Sequence, residues 1–170
     1  MRITRIHHIT IAVRELDRAL DTFERLFGAR VEAVDVLRAF GVEAGNVPFG
    51  DSVLQLASPT DADSAVGRFL TRRGEGVYNI AVEVDDLDAA IDELSSQGVR
   101  VSDPVEAQPG VRSAFVSSSA THGVSIQLMQ VASVAPAPPA AEKAAPDETP
   151  TAPAPSRVVD LTPDEWSDVD

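Results

Sequence analysis

The 170-residue sequence contains no cysteine. That excludes a disulfide framework, a thiolate metal site and a cysteine nucleophile. Basic residues are few: 14 Lys and Arg stand against 27 Asp and Glu, for a formal net charge of −13. Phosphate backbones and anionic membrane surfaces both need a basic footprint, so neither nucleic acid nor membrane is an expected partner. No apolar run approaches the roughly 18 residues of a membrane span. The opening MRITRIHHITIAV carries basic residues but lacks a small-residue cleavage site, and it reads as a strand holding two histidines rather than a signal peptide. A soluble, cytoplasmic protein is the expectation.

What is present divides the chain. Residues 1–132 show regular apolar periodicity, and the hydrophobic fraction of 44% is ordinary for a protein with a core. From Ser133 the text becomes SVAPAPPAAEKAAPDETPTAPAPS. Such composition cannot bury enough apolar surface to offset its ordering entropy, so 133–156 is expected to be a disordered, partly polyproline II linker. Residues 157–170 form an acidic tail with one local signal. Thr162 suits an N-cap, Pro163 the first helical position and Glu165 the third, while Leu161 and Trp166 can staple the turn. This is either a nascent turn without a role or a short motif that docks Leu161 and Trp166 into a protein partner's groove.

Within 1–132 one pattern occurs twice. HHITIAVRELDRALDTFERLFGARV matches YNIAVEVDDLDAAIDELSSQGVRV, which sets Asn79 where the first copy has His8. Each copy opens with a strand. A helix follows, with apolar residues at Leu16, Ala19, Leu20, Phe23 and Leu26–Phe27 in one, and at Leu87, Ala90, Ile91 and Leu94 in the other. The spacing is helical, and Gly28 and Gly98 stop the helices. Strands are then expected at about 30–37, 41–47 and 51–57, and at about 99–106, 111–117 and 123–131. SAVGRFLTRRG forms a helical connection between the halves.

The expected fold class is therefore α+β, with two tandem βαβββ modules at about 4–58 and 76–132. One helix cannot cover the sheet of one module, whereas two modules packed as a pseudo-symmetric pair enclose a cleft. First-strand and last-strand residues of both modules, His8, Gln55, Asn79 and Gln127, would meet there. His7 should point to the opposite face, by strand alternation. His122 falls in an exposed turn, and Arg72 with Arg73 complements a helix C-terminus.

The repeated module, HHITIAV and FLTRRGEGVYNIAVEVDDL resemble the vicinal oxygen chelate superfamily, which includes glyoxalase I, bleomycin-resistance proteins and extradiol dioxygenases. RRGEGVYNIAVEVDD and VPFGDSVLQLASP resemble its methylmalonyl-CoA epimerase branch most. The resemblance covers about residues 4–131 and leaves the tail outside. It implies a homodimer, an acyl-CoA ligand whose phosphates Arg72 and Arg73 could meet, and a divalent metal (Co, Mg, Mn or Zn) held by four side chains. Carried over by position, those are His8, Gln55, Asn79 and Gln127. The family has His at position 8, Gln or Glu at 55, His at 79, and at 127 a Glu that doubles as acid/base. Its second catalytic Glu falls on Ala39; Glu43 is the candidate for a displaced acid.

Epimerisation beside a thioester needs a polarised carbonyl, a base and an acid on the opposite face. One imidazole and three neutral amides supply no negative charge, so no tightly bound metal is expected. They suit a small polar or acyl-CoA-type ligand held by hydrogen bonds. Three other possibilities stand beside that one. The four side chains can satisfy each other in a filled core. An epimerase can survive on non-standard residues (His8, Gln127, Glu43), with His8 as a lone base near its ordinary pKa of about 6.5. Or the chain can be a non-catalytic adaptor working through its C-terminal motif.

Overall fold

The structure, a computed structural model, describes residues 1–31 and 33–132. The linker at 133–156 and the motif holding Leu161 and Trp166 lie outside the described residues.

The first half runs β1 (Ile3–Ala12), α1 (Leu16–Phe27), β2 (Val34–Leu37), β3 (Val42–Phe49) and β4 (Ser52–Pro59). A short 3-10 turn, Arg38–Phe40, sits between β2 and β3. After α2 (Ala65–Arg73), the second half repeats the order as β5 (Gly76–Val84), α3 (Leu87–Ser96), β6 (Val105–Gln108), β7 (Val111–Val116) and β8 (Ser125–Val131). This is the α+β fold of two βαβββ modules. Among the described residues no helix is long and apolar enough to cross a membrane.

Local chemistry explains the boundaries. Asp86 caps α3 by accepting from the Ala89 amide at 3.0 Å, and Ser64 caps α2 through the Gly67 amide at 3.0 Å. Gly28 ends α1 in the left-handed conformation at φ 65°, which costs a residue without Cβ nothing. The strand expected at 99–106 is shorter and later. Pro104 has no amide to donate into a ladder, so β6 starts at Val105 and Val101 makes only an isolated bridge to Val116.

All eight strands join one sheet, in the order β2-β3-β4-β1-β5-β8-β7-β6. The modules meet edge to edge through antiparallel β1 and β5, with Thr10 opposite Asn79 and His8 opposite Ala81. Inside each module the first and last strands pair in parallel: Thr10 lies beside Gln55, and Ala81 beside Gln127. The sheet also curls. β2 and β6 are its two ends, yet the 3-10 turn after β2 touches β6.

The convex face carries the helices. Leu16 and Leu20 of α1 pack on Val47 and Leu56, while Leu87 and Ala90 of α3 pack on Val82, Ala114 and Leu128. Leu56, Leu87 and Leu128 are almost wholly buried, each worth about 1.5–3 kcal/mol relative to exposure. α1 approaches β3 so closely that a Cβ at Gly45 would lie 2.9 Å from Leu20 Cδ2. Leu26 and Phe27, expected on the buried stripe, are exposed at the end of α1. The concave face, left free by α1 and α3, holds the cleft.

Candidate functional site

Strand alternation sorts the side chains. On β3, Val42, Ala44 and Asn46 face the cleft; on β4, Val53, Gln55 and Ala57 do; on β8, Ser125, Gln127 and Met129 do. The cleft has a volume of about 800 Å³ and draws on all eight strands, the 3-10 turn and the start of α2. His8, Gln55, Asn79 and Gln127 all line it. Their neighbours Thr10, Asn46 and Ser113 line it too.

Two hydrogen-bonded chains run across its floor. In one, Asn79 Nδ2 donates to Gln127 Oε1 at 3.2 Å, and Gln127 Nε2 donates to Ser113 Oγ at 3.1 Å. In the other, Thr10 Oγ1 donates to Gln55 Oε1 at 3.4 Å, and Gln55 Nε2 donates to Asn46 Oδ1 at 3.2 Å. The register builds the second chain, because Asn46, Gln55 and Thr10 are direct neighbours on β3, β4 and β1. Two buried atoms have no partner among the described residues: His8 Nε2 and Asn79 Oδ1. An unpartnered buried polar atom is costly, and a ligand is one way to satisfy it.

His7 does not point away from His8. A bulge interrupts the β1–β5 register between Ile6 and His8, so the two-residue alternation fails there. Both rings line the cleft, and their Nδ1 atoms lie 2.8 Å apart, so one of the two must donate. His8 does not keep the ordinary imidazole pKa. Burial, and after it the neighbouring His7, pushes it down to about 4. Burial and then Arg5 lower His7 as well, against the opposing carboxylate of Glu83. A neutral His8 is a hydrogen-bonding group at physiological pH and a weak base.

Glu43 sits on the other face. It alternates with Val42 and Ala44, is not part of the cleft lining, and accepts from Ser58 Oγ at 2.9 Å. Ala39 does line the cleft and brings no acid to it. His122 is exposed in its turn, at a positive φ of 55°. Arg73 donates to the Gly123 carbonyl at 3.2 Å and lies 6.0 Å from the Phe69 ring centroid, so it braces the end of α2.

The donor set does not fit a transition-metal centre. Gln55 Oε1 and Gln127 Oε1 each accept a hydrogen bond already, and His8 Nδ1 is engaged by His7. One imidazole nitrogen and three neutral amide oxygens remain, two of those oxygens each already accepting a hydrogen bond, and no carboxylate joins them. Among the described residues no group of three or more His, Cys, Asp or Glu is placed to hold an ion.

Thr10, Asn46 and Ser113 were not singled out by the sequence pattern, and His7 was assigned to the opposite face. They are ordinary strand residues, and only cross-strand register and the β1 bulge bring them to the floor.

Comparison with known proteins gives concordant results. The model of the Glyoxalase/Bleomycin resistance protein/Dioxygenase superfamily matches residues 7–115. The chain is 31% identical over 97 residues to the human mitochondrial methylmalonyl-CoA epimerase, covering 56% of this chain and 55% of that one. It thus spans little more than half of that relative. It is 30% identical over 130 residues to the uncharacterized protein YqjC of Bacillus subtilis, covering 75% of this chain and 93% of the relative. Among solved structures, a variant of the Streptomyces coelicolor methylmalonyl-CoA epimerase in complex with 2-nitronate-propionyl-CoA superposes with a TM-score of 0.73 at 35% identity, over 78% of this chain and 98% of that one. The Mycobacterium tuberculosis methylmalonyl-CoA epimerase gives 0.71 at 29% identity, over 77% and 90%.

Proposed function

The chain belongs to the Glyoxalase/Bleomycin resistance protein/Dioxygenase superfamily, and from that premise we propose that it is a methylmalonyl-CoA epimerase-like protein whose cleft binds a small acyl-CoA-type ligand without a tightly held metal. The observation that carries this is the pair of buried, partnerless atoms, His8 Nε2 and Asn79 Oδ1, on the floor of a cleft of about 800 Å³. A core whose polar groups satisfied each other would not leave two of them orphaned in residues that line a cleft. The cleft is also large enough for a small ligand, within the usual range of roughly 300–1,000 Å³. The structures it resembles include one in complex with a propionyl-CoA analogue, which supports the acyl-CoA class.

The test is calorimetric titration of propionyl-CoA into chelator-treated protein, beside an Ala44→Trp variant that plugs the floor. Binding to the wild type that the plug abolishes supports the proposal. No binding, or binding that survives the plug in a folded variant, contradicts it.

A second possibility, epimerisation on non-standard residues, has one observation in its favour: the His7–His8 pair, bonded through its Nδ1 atoms, lines the cleft, and His8 Nε2 has no partner among the described residues. It requires exchange of the C2 proton of methylmalonyl-CoA with solvent deuterium. No exchange above background, with and without added Co²⁺ or Mg²⁺, would remove it.

A further inference from the structure

Floor and mouth of the cleft differ in charge. The buried polar residues of the floor are His8, Thr10, Asn79, Ser113 and Gln127, with no Lys, Arg, Asp or Glu among them. The charged residues of the lining are Asp35, Arg38 and Asp61, and all three are exposed. The single guanidinium of the lining, Arg38, is therefore exposed, as are both carboxylates.

The hydrogen-bonded chain on the floor is also reversible. As drawn by the heavy atoms, Ser113 accepts from Gln127, Gln127 accepts from Asn79, and Asn79 Oδ1 is left over. A hydroxyl donates as readily as it accepts. If Ser113 donates and both amides turn over, the same positions are kept and Asn79 offers an N–H instead. The floor can meet either a donor or an acceptor, but it offers no compensation for a charge. Beside it, Phe40 of the first module and Phe115 of the second line the cleft and meet edge to face, 5.5 Å apart at 87°.

We infer that the cleft takes an acyl group whose buried end is uncharged and both donates and accepts hydrogen bonds, a hydroxyacyl or amide-terminated group, and that it discriminates against the free carboxylate of a malonyl-type group. This rests on the proposal that the cleft binds an acyl-CoA-type ligand. A carboxylate only accepts, and on this floor it would lose its water and find no cation. A hydroxyl matches either state of Asn79 and leaves no charge to solvate. The aromatic pair adds apolar surface for the carbon chain.

The test compares two probes with one carbon skeleton. Methylmalonyl-CoA carries a carboxylate where 3-hydroxyisobutyryl-CoA carries a CH₂OH group, and the rest of the molecule is the same. Both are titrated into the chelator-treated full chain, with CoA alone as a control. The hydroxyacyl probe should bind at least roughly tenfold more tightly, and Asn79→Leu should shrink the preference to within about threefold. Equal affinities, or the reverse order, overturn the selectivity and leave ligand binding intact. If neither acyl probe binds better than CoA alone, the proposal falls together with the one it rests on. Should Asn79→Leu fail to fold by circular dichroism, the wild-type ranking decides.

Discussion

Asn79 Nδ2 donates to Gln127 Oε1 at 3.2 Å, linking the first strand of the second module to the last. At both positions the family resemblance expects charge-bearing or metal-binding groups, His and Glu. Here two neutral amides bond to each other, and Gln127 continues the chain to Ser113. Two positions that would converge on a shared ion have become a local hydrogen-bonded pair.

Gln127→Met keeps the volume but strips partners from Asn79 Nδ2 and Ser113 Oγ, both buried. The expected loss of stability is about 1–3 kcal/mol. Adding Asn79→Leu should recover part of it, because the stranded amide goes too. Urea unfolding of the single and double variants measures the coupling, and strictly additive losses would show that there is none.

His8 sets a pH dependence. Its folded pKa, about 4, lies below the unfolded value of 6.5. The unfolded chain therefore takes up a proton that the folded chain refuses. Its contribution is full above pH 6.5, declines as pH falls towards 4 and is flat below. The size is on the order of 3 kcal/mol, and the lowered His7 acts in the same direction. Wild type should lose more stability between pH 7 and pH 4.5 than His8→Gln does. Parallel stability curves for the two proteins would contradict this.

Restoring the family's donors should restore ion binding. After chelation and reloading with Co²⁺, Asn79→His combined with Gln127→Glu is expected to hold close to one equivalent by elemental analysis. The wild type should stay well below that. A wild type that retains a full equivalent would show that its amides suffice.

Glu43→Gln should leave ligand affinity within about twofold, since the side chain bonds Ser58 on the far face of the sheet. Loss of the charged hydrogen bond should cost about 1–2 kcal/mol in unfolding free energy. An affinity loss of tenfold would mean that Glu43 reaches the cleft.

The two βαβββ modules were legible because their helices keep a 3.6-residue period on Leu16, Leu20, Leu87 and Ala90, and because the copies align on HHITIAV and YNIAVEV. Strand parity carried less far. It holds on β3, where Val42 and Ala44 face the cleft and Glu43 does not, but the sequence does not announce the parity of a short loop. It fails at His7, where one bulged residue turns a side chain to the other face. Ser113 and Asn46 were invisible for another reason. Their role comes from partners on neighbouring strands, and register is a tertiary property.

The most direct measurement is one calorimetric titration of 3-hydroxyisobutyryl-CoA into the full chain, run in EDTA and again with saturating Co²⁺. Metal-free binding in the cleft predicts saturable binding in EDTA and the same affinity with Co²⁺. Binding seen only with the metal, or no binding in either buffer, would contradict it.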